Sequence, residues 1–157
     1  MDVREPLRVK HTYRQRLKAP PDRVFPLLCP VRETEWVEGW NPLVVHSFSG
    51  HAERDCVFVT RDGDSEAVWV VADFDPQNHR IEFVKVTPGT TVGRISIALQ
   101  SDGYGGTLAD VTYMYTALSE RGHSFVKQFT EEAYLVFMRR WEEALNHFLL
   151  TGKKQRD

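Results

Sequence analysis

The sequence predicts an α+β domain in two layers: a curved antiparallel sheet of seven strands around one long C-terminal helix. Three observations carry that prediction. Apolar side chains recur at Val126, Phe129, Ala133, Phe137, Trp141, Leu145 and Phe148, a three-and-four spacing that runs along one helical face. Residues Leu7 to Leu17 alternate with period two, which is strand geometry with one solvated face. Between Leu43 and Leu118 the chain is broken only by short Gly-, Asp- and Pro-rich stretches, which suit hairpins and leave no room for crossover helices. A sheet with one apolar face and a helix with one apolar stripe bury both by packing together. Twisted strands in that number curl, and a curled sheet holding a helix can leave a cavity between them.

The first strand places Leu7, Val9, His11, Tyr13, Gln15 and Leu17 on one face. Its centre is semi-polar, a choice a dry core seldom makes. Ala19-Pro20-Pro21-Asp22 stops the strand and opens a short helix, since a proline loses no hydrogen bond at the first helical position. Pro30 ends that helix, and a second, VRETEWVEGW, is expected to run to about Gly39, followed by an exit turn at Asn41-Pro42. The expected meander strands are Leu43–Phe48, Asp55–Thr60, Glu66–Phe74, Arg80–Thr87, Thr91–Gln100 and Thr107–Leu118. The closing helix is expected from His123 to Gly152, with Ser124 as N-cap and Gly152 as the terminating glycine, a rod roughly 40 Å long. Its first half, Val126 to Phe137, is the expected cavity wall, and Trp141 to Leu149 the part that closes a packed core.

A chain of 157 residues is expected to form one domain, with residues 152–157 as a solvated tail. Its composition is that of a soluble globular protein, 41% hydrophobic and 27% charged. A net charge of −2 offers no electrostatic reason for a nucleic-acid partner. The opening MDVREPLRVK is charged and lacks the apolar core of an export signal, and no run of eighteen apolar residues is long enough to span a bilayer. Cys29 and Cys56 fit neither a disulfide framework nor a zinc spacing, so reduced thiols in a cytoplasm are expected. No cofactor or metal is expected. His46 and His51 lack the convergent partners zinc needs, and the glycines of Asp102-Gly-Tyr-Gly-Gly106 sit between two strands, where a phosphate-cradling loop would lead into a helix.

The stretch Ala19-Pro-Pro-Asp-Arg-Val-Phe25, the run from Phe25 through Trp36 to Trp40, Thr116-Ala-Leu-Ser-Glu-Arg-Gly122 and Leu145-Asn-His-Phe-Leu-Leu-Thr-Gly152 resemble the helix-grip superfamily. That group includes START domains, birch-pollen-allergen-like proteins and polyketide cyclase/dehydratase and lipid-transport families. The resemblance covers essentially the whole chain. It implies a hydrophobic cavity between sheet and closing helix, gated near the two short helices, on a scaffold that hosts carriers, receptors and enzymes alike.

Candidate walls of that cavity are Tyr13, Trp36, Trp40, Trp69, Tyr113, Tyr115, Phe129, Ala133 and Phe137, mostly flat apolar surface with a few polar handles. Candidate catalytic groups are His46, Arg94 and Tyr113, which inside a cavity would polarise a carbonyl or move a proton, although Arg94 alternates opposite Ile95, Ile97 and Leu99. Glu33, Glu35 and Glu38 read as a solvated helix face, with Arg32 and Glu33 as a brace for the gate. Two functions follow from these readings. One is binding of a small hydrophobic molecule such as a lipid, isoprenoid or aromatic metabolite, by a monomer or homodimer. The other is cyclase/dehydratase-type catalysis in the same cavity. Convergence of titratable side chains on the cavity discriminates between them.

Overall fold

A computed structural model describes residues 5–156. The charged opening through Arg4, on which the export-signal reading partly rests, and the terminal Asp157 lie outside the described residues.

Strand β1 spans Arg8–Leu17, and the meander supplies β2 (Leu43–His46), β3 (Val57–Asp62), β4 (Ser65–Asp75), β5 (Arg80–Thr87), β6 (Thr91–Ser101) and β7 (Thr107–Ala117). They form one antiparallel sheet in the order β1-β7-β6-β5-β4-β3-β2, so the meander pairs in sequence and β1 closes against its last strand. Tight turns set the registers. At the β5–β6 turn, for example, Pro88 leads into Gly89 at a φ of +71°, where a side chain would be strained. Register shifts at Val44/His46 and Val71/Asp73 bend the far strands, and past the second of these Phe74, paired with Ile81, carries the apolar face.

Between β1 and β2 lie helix α1 (Pro21–Val24), a 3-10 turn (Phe25–Leu28) and helix α2 (Pro30–Glu33). The second helix is shorter than the sequence predicts. Past Glu33 the chain turns because two indoles bind back to it: Trp36 Nε1 donates to the Leu27 carbonyl at 2.8 Å, and Trp40 Nε1 to the Pro30 carbonyl at 2.8 Å.

The closing helix is two helices, α3 (Glu120–Gln128) and α4 (Glu131–Thr151). Each has its own N-cap. Ser119 Oγ accepts from the Gly122 amide at 3.2 Å and Thr130 Oγ1 from the Ala133 amide at 3.1 Å, so the expected cap at Ser124 is not used. Gly122 is required where α3 meets the β5–β6 turn, because a Cβ there would stand 1.9 Å from the Thr90 carbonyl oxygen. Gly152 closes α4 in the left-handed conformation, as expected.

The break shifts the helical phase. Continuous from Val126, the apolar stripe would bury Ala133 and Phe137; in α4 the buried residues are Tyr134, Met138, Leu145 and Leu149. The semi-polar face of β1 explains where α4 sits. His11 Nε2 donates to the Phe129 carbonyl freed by the break (2.8 Å), Tyr13 donates to Glu142 (3.1 Å), and the buried Gln15 amide reaches the Met138 carbonyl (3.3 Å). Those three side chains tie α4 to the β1 edge of the sheet. Toward β3–β5 the gap is taken up by α2, its following turn, and a cavity.

Candidate functional site

Inward-facing residues align in rows across the sheet, because strand registers put paired residues on one face. One row reads Phe58, Trp69, Lys85, Gly93, Tyr115, Val9, from β3 to β1. The next reads Val71, Phe83, Ile95, Tyr113, His11. Gly93 makes room in the first row for an aromatic ring. A Cβ there would lie 2.7 Å from Tyr115 Cε1, so its absence lets the tyrosine ring lie over the strand beside Lys85.

Above these rows is a cavity of about 690 Å³. The sheet contributes Phe58, Trp69, Phe83, Lys85, Ile95, Ile97, Tyr113 and Tyr115; the short-helix segment contributes Pro30, Glu33, Trp36, Val37 and Trp40; α4 contributes Phe137, Trp141 and Ala144. Glu38, Arg140, Glu143 and Gln155 are exposed members of its lining, at the rim. All four tryptophans of the chain are in the wall. Trp36 stacks on Trp141 with centroids 6.1 Å apart, and Trp69 stacks on Phe58 at 5.3 Å with Trp40 edge-on at 6.0 Å. Three indole N–H groups are satisfied, that of Trp69 by Thr60 Oγ1 at 2.9 Å; the buried Nε1 of Trp141 has no partner.

Below the rim, four titratable side chains line this aromatic space. The Lys85 ammonium lies 4.9 Å from the centre of the Trp69 ring and 5.9 Å from that of Tyr115. It makes no ion pair with any described residue, and burial lowers its pKa despite the opposing field of Asp62. Glu33 was expected to brace the gate with Arg32, but Arg32 bonds Glu35 instead. Glu33 is half-buried with no cation paired to its carboxyl, and desolvation holds its pKa well above the ordinary carboxylate value. Tyr113 and Tyr115 are buried, and desolvation raises both phenols; at Tyr113 the neighbouring Tyr115 and Glu33 add to it. Neither hydroxyl has a protein hydrogen-bond partner among the described residues, whereas Tyr134 Oη donates to the Val111 carbonyl at 2.5 Å.

The sequence-based candidates divide. Trp36, Trp40, Trp69, Tyr113, Tyr115 and Phe137 face the cavity. Tyr13 is outside it, because its hydroxyl is engaged by Glu142. Phe129 packs behind the wall, 5.0 Å from Tyr115, and Ala133 is exposed in the first turn of α4. The α4 wall therefore runs from Phe137 to Ala144, later than Val126 to Phe137, as the phase shift requires. Arg94 points to the outer face, where its Nε meets Glu82 Oε1 at 3.0 Å, and His46 is exposed at the sheet edge against Phe48. Lys85 and Glu33 are cavity residues that the sequence reading does not single out. Strand parity was the available signal for Lys85, two residues beyond Phe83 and four beyond Ile81.

A smaller cavity of about 310 Å³ lies under Phe25, Pro26, Phe74 and Pro76, with Cys29 in its wall. Cys29 Sγ accepts the Ala52 amide at 3.1 Å and stands 4.0 Å from His51 Nδ1. Both cysteines are free thiols. No group of three or more metal-ligating side chains forms among the described residues, and no described helix is long and apolar enough to cross a membrane.

No family model matches the sequence, and no curated protein matches it. Solved structures do. The Mll3558 protein of Rhizobium loti is similar with a TM-score of 0.63 at 18% identity, over 92% of this chain and 99% of that one. Truncated norcoclaurine synthase from Thalictrum flavum is similar with a TM-score of 0.70 at 11% identity, over 96% of this chain and 99% of that one. A structure of that synthase in complex with dopamine and hydroxybenzaldehyde gives 0.68 at 10% identity, over 96% and 91%. Identities this low speak for architecture alone. The strand order, the short helices after β1 and the long helix closing the sheet are those of the helix-grip fold.

Proposed function

We propose that the protein binds a small, flat hydrophobic molecule in the cavity between the sheet and α4. The observation that carries this reading is a void of about 690 Å³ with every tryptophan of the chain in its wall. Ligand pockets of this volume, mostly aromatic with a few convergent polar groups, are the usual form of small-molecule sites. Support also comes from the division of labour in the sequence. The polar residues of β1 are spent on docking α4, while Lys85, Glu33, Tyr113 and Tyr115 keep their polar atoms free.

A panel of fatty acids, sterols and flavonoids, followed by tryptophan fluorescence and melting temperature, tests the proposal. A ligand at a hundred times its Kd stabilises by about 2.7 kcal/mol. For a chain of this size each kcal/mol moves Tm by about 2–4 °C. No shift in either signal with any panel member would sink the reading.

A second reading, catalysis on a carbonyl compound in the same cavity, is favoured by the convergence of Glu33, Lys85 and Tyr113 on it, although no hydrogen bond joins any two of them. Of the three catalytic candidates from the sequence only Tyr113 lines the space, so the groups that would carry such chemistry are Glu33, Lys85 and Tyr113. Exchange of the α-protons of 2-tetralone in D2O, faster with the protein than in buffer and slowed by Glu33→Gln, would support it. An unaccelerated exchange would leave the binding reading alone.

A further inference from the structure

We infer that the ligand is an aromatic anion whose charged oxygens pair with Lys85, so that Lys85 is the anchoring residue of the site. This deepens the binding reading and rests on it.

The unpartnered polar groups of the interior are all able to donate hydrogen bonds. Lys85 is a cation with three donors and no acceptor. Tyr113 and Tyr115 keep their protons, since desolvation disfavours the phenolates. The Glu33 carboxyl has no counter-ion, and desolvation raises its pKa, which favours the protonated form that donates a hydrogen bond. The other acidic side chains of the lining, Glu38 and Glu143, lie at the exposed rim in water. A cavity with this inventory is matched by a molecule rich in acceptor oxygens, and an ammonium compound would meet the like charge of Lys85.

The charge follows from Lys85. Charged side chains are seldom buried unless paired, and the described protein supplies no carboxylate within ion-pair reach of this ammonium. The Trp69 and Tyr115 rings offset part of its desolvation through cation–π contact. A carboxylate or enolate from the ligand would complete it with charge-assisted hydrogen bonds. Shape follows from the row itself. Trp69 and Tyr115 flank Lys85, and Gly93 adds no side chain between it and Tyr115, whose ring lies over the strand there, so the group beside the ammonium enters a slot with aromatic walls. A planar ring fits that slot.

The test is the affinity of the full chain for three matched probes at neutral pH: 2-naphthoate, 2-naphthamide and 2-(aminomethyl)naphthalene. The expected order is naphthoate tightest, by about tenfold over the amide, with the amine weakest. Lys85→Met should bring naphthoate down to the amide while leaving amide binding within about threefold, and Lys85→Arg should keep the preference. Equal binding of naphthoate and naphthamide to the unmodified protein would overturn the anion inference and leave the cavity reading standing. Failure of all three probes to bind would overturn the anion inference, and the cavity reading would fall with it only if the wider ligand panel is silent too. Because the unmodified protein decides between these outcomes, the conclusion does not depend on how well the variants fold.

Discussion

Adding one methyl group at Gly93 should close the slot beside Lys85. In Gly93→Ala the new Cβ would meet Tyr115 Cε1 at 2.7 Å and Cδ1 at 3.0 Å, closer than carbon atoms pack, so the ring must move. Behind it stand Phe125 and Phe129, with ring centres 4.9 and 5.0 Å away, both edge-on. The open direction is the cavity. Overpacking of this kind costs about 1–3 kcal/mol, and the cost should fall at the low end because the ring has space to enter. With about 2–4 °C of Tm per kcal/mol in a chain of this length, the expected loss is a few degrees. Naphthoate binding should weaken by an order of magnitude or more, since Tyr115 would occupy ligand space. Replacing the ring as well, in Gly93→Ala/Tyr115→Leu, should remove the clash, so the pair should show a coupling of about 0.5–3 kcal/mol relative to the single variants. Differential scanning calorimetry and a binding titration measure both quantities. Additive losses, or a Gly93→Ala protein that binds as tightly as the parent, would refute the claim that Gly93 makes room for the Tyr115 ring beside the ligand space.

Other perturbations separate core from wall and one carboxyl from another. Leu145→Ala, at a fully buried position of α4, should cost about 2–5 kcal/mol, whereas Phe137→Ala, 42% exposed at the cavity mouth, should cost about 1 kcal/mol and alter ligand affinity; equal losses in urea unfolding would mean that α4 seals a solid core there. Glu33 has its folded pKa raised above 4.5, so the native state retains a proton that the unfolded chain releases and stability declines as pH rises above 4.5. Glu33→Gln should flatten that decline, and superimposable Tm–pH profiles for variant and parent would rule it out. Glu53 behaves oppositely: the Ser49 hydroxyl and amide, with the Ser47 hydroxyl, hold its pKa at about 2, so its contribution is present above 4.5 and is lost as pH falls through about 2. The Ser49 amide proton shift should titrate with a midpoint near 2, and a midpoint near the ordinary carboxylate value of 4.5 would contradict the assignment.

Period-two alternation and turn chemistry made the sheet legible from sequence. The expected Arg80–Thr87 strand coincides with β5, and the other expected strands differ from the observed ones mainly at their ends, where pairing stops for lack of a neighbour. The closing helix was less legible for a specific reason. Phe129-Thr130 interrupts it without a proline or glycine, and a spacing of three and four continues across the break although the backbone phase does not. Ser119 and Thr130 did carry the capping signal, each followed by a glutamate in the first turn. The helix-grip architecture and its aromatic cavity lining were therefore readable, while the choice of wall along α4 was not.

The polar part of the site was hidden by an average that fails locally. A lysine in a strand is usually solvated, yet the parity of Ile81 and Phe83 puts Lys85 on the inner face. The same parity sends Arg94 outward to Glu82. Glu33 was obscured because the side-chain choice of Arg32, toward Glu35 and away from Glu33, depends on where the chain turns after α2. That turn is set by the Trp36 and Trp40 hydrogen bonds to earlier carbonyls, contacts across nine and ten residues that no local pattern encodes.

The central claim is that the space between sheet and α4 receives a flat ligand beside Lys85. The four indole N–H signals in a proton–nitrogen correlation spectrum test it directly, because every tryptophan of the chain lines that space. Titration with 2-naphthoate should move the indole signals, Trp69 beside Lys85 among the largest, while amides of the exposed Ser47–His51 loop stay in place. Indole signals unchanged at saturating naphthoate and at saturating members of the wider ligand panel would contradict the account.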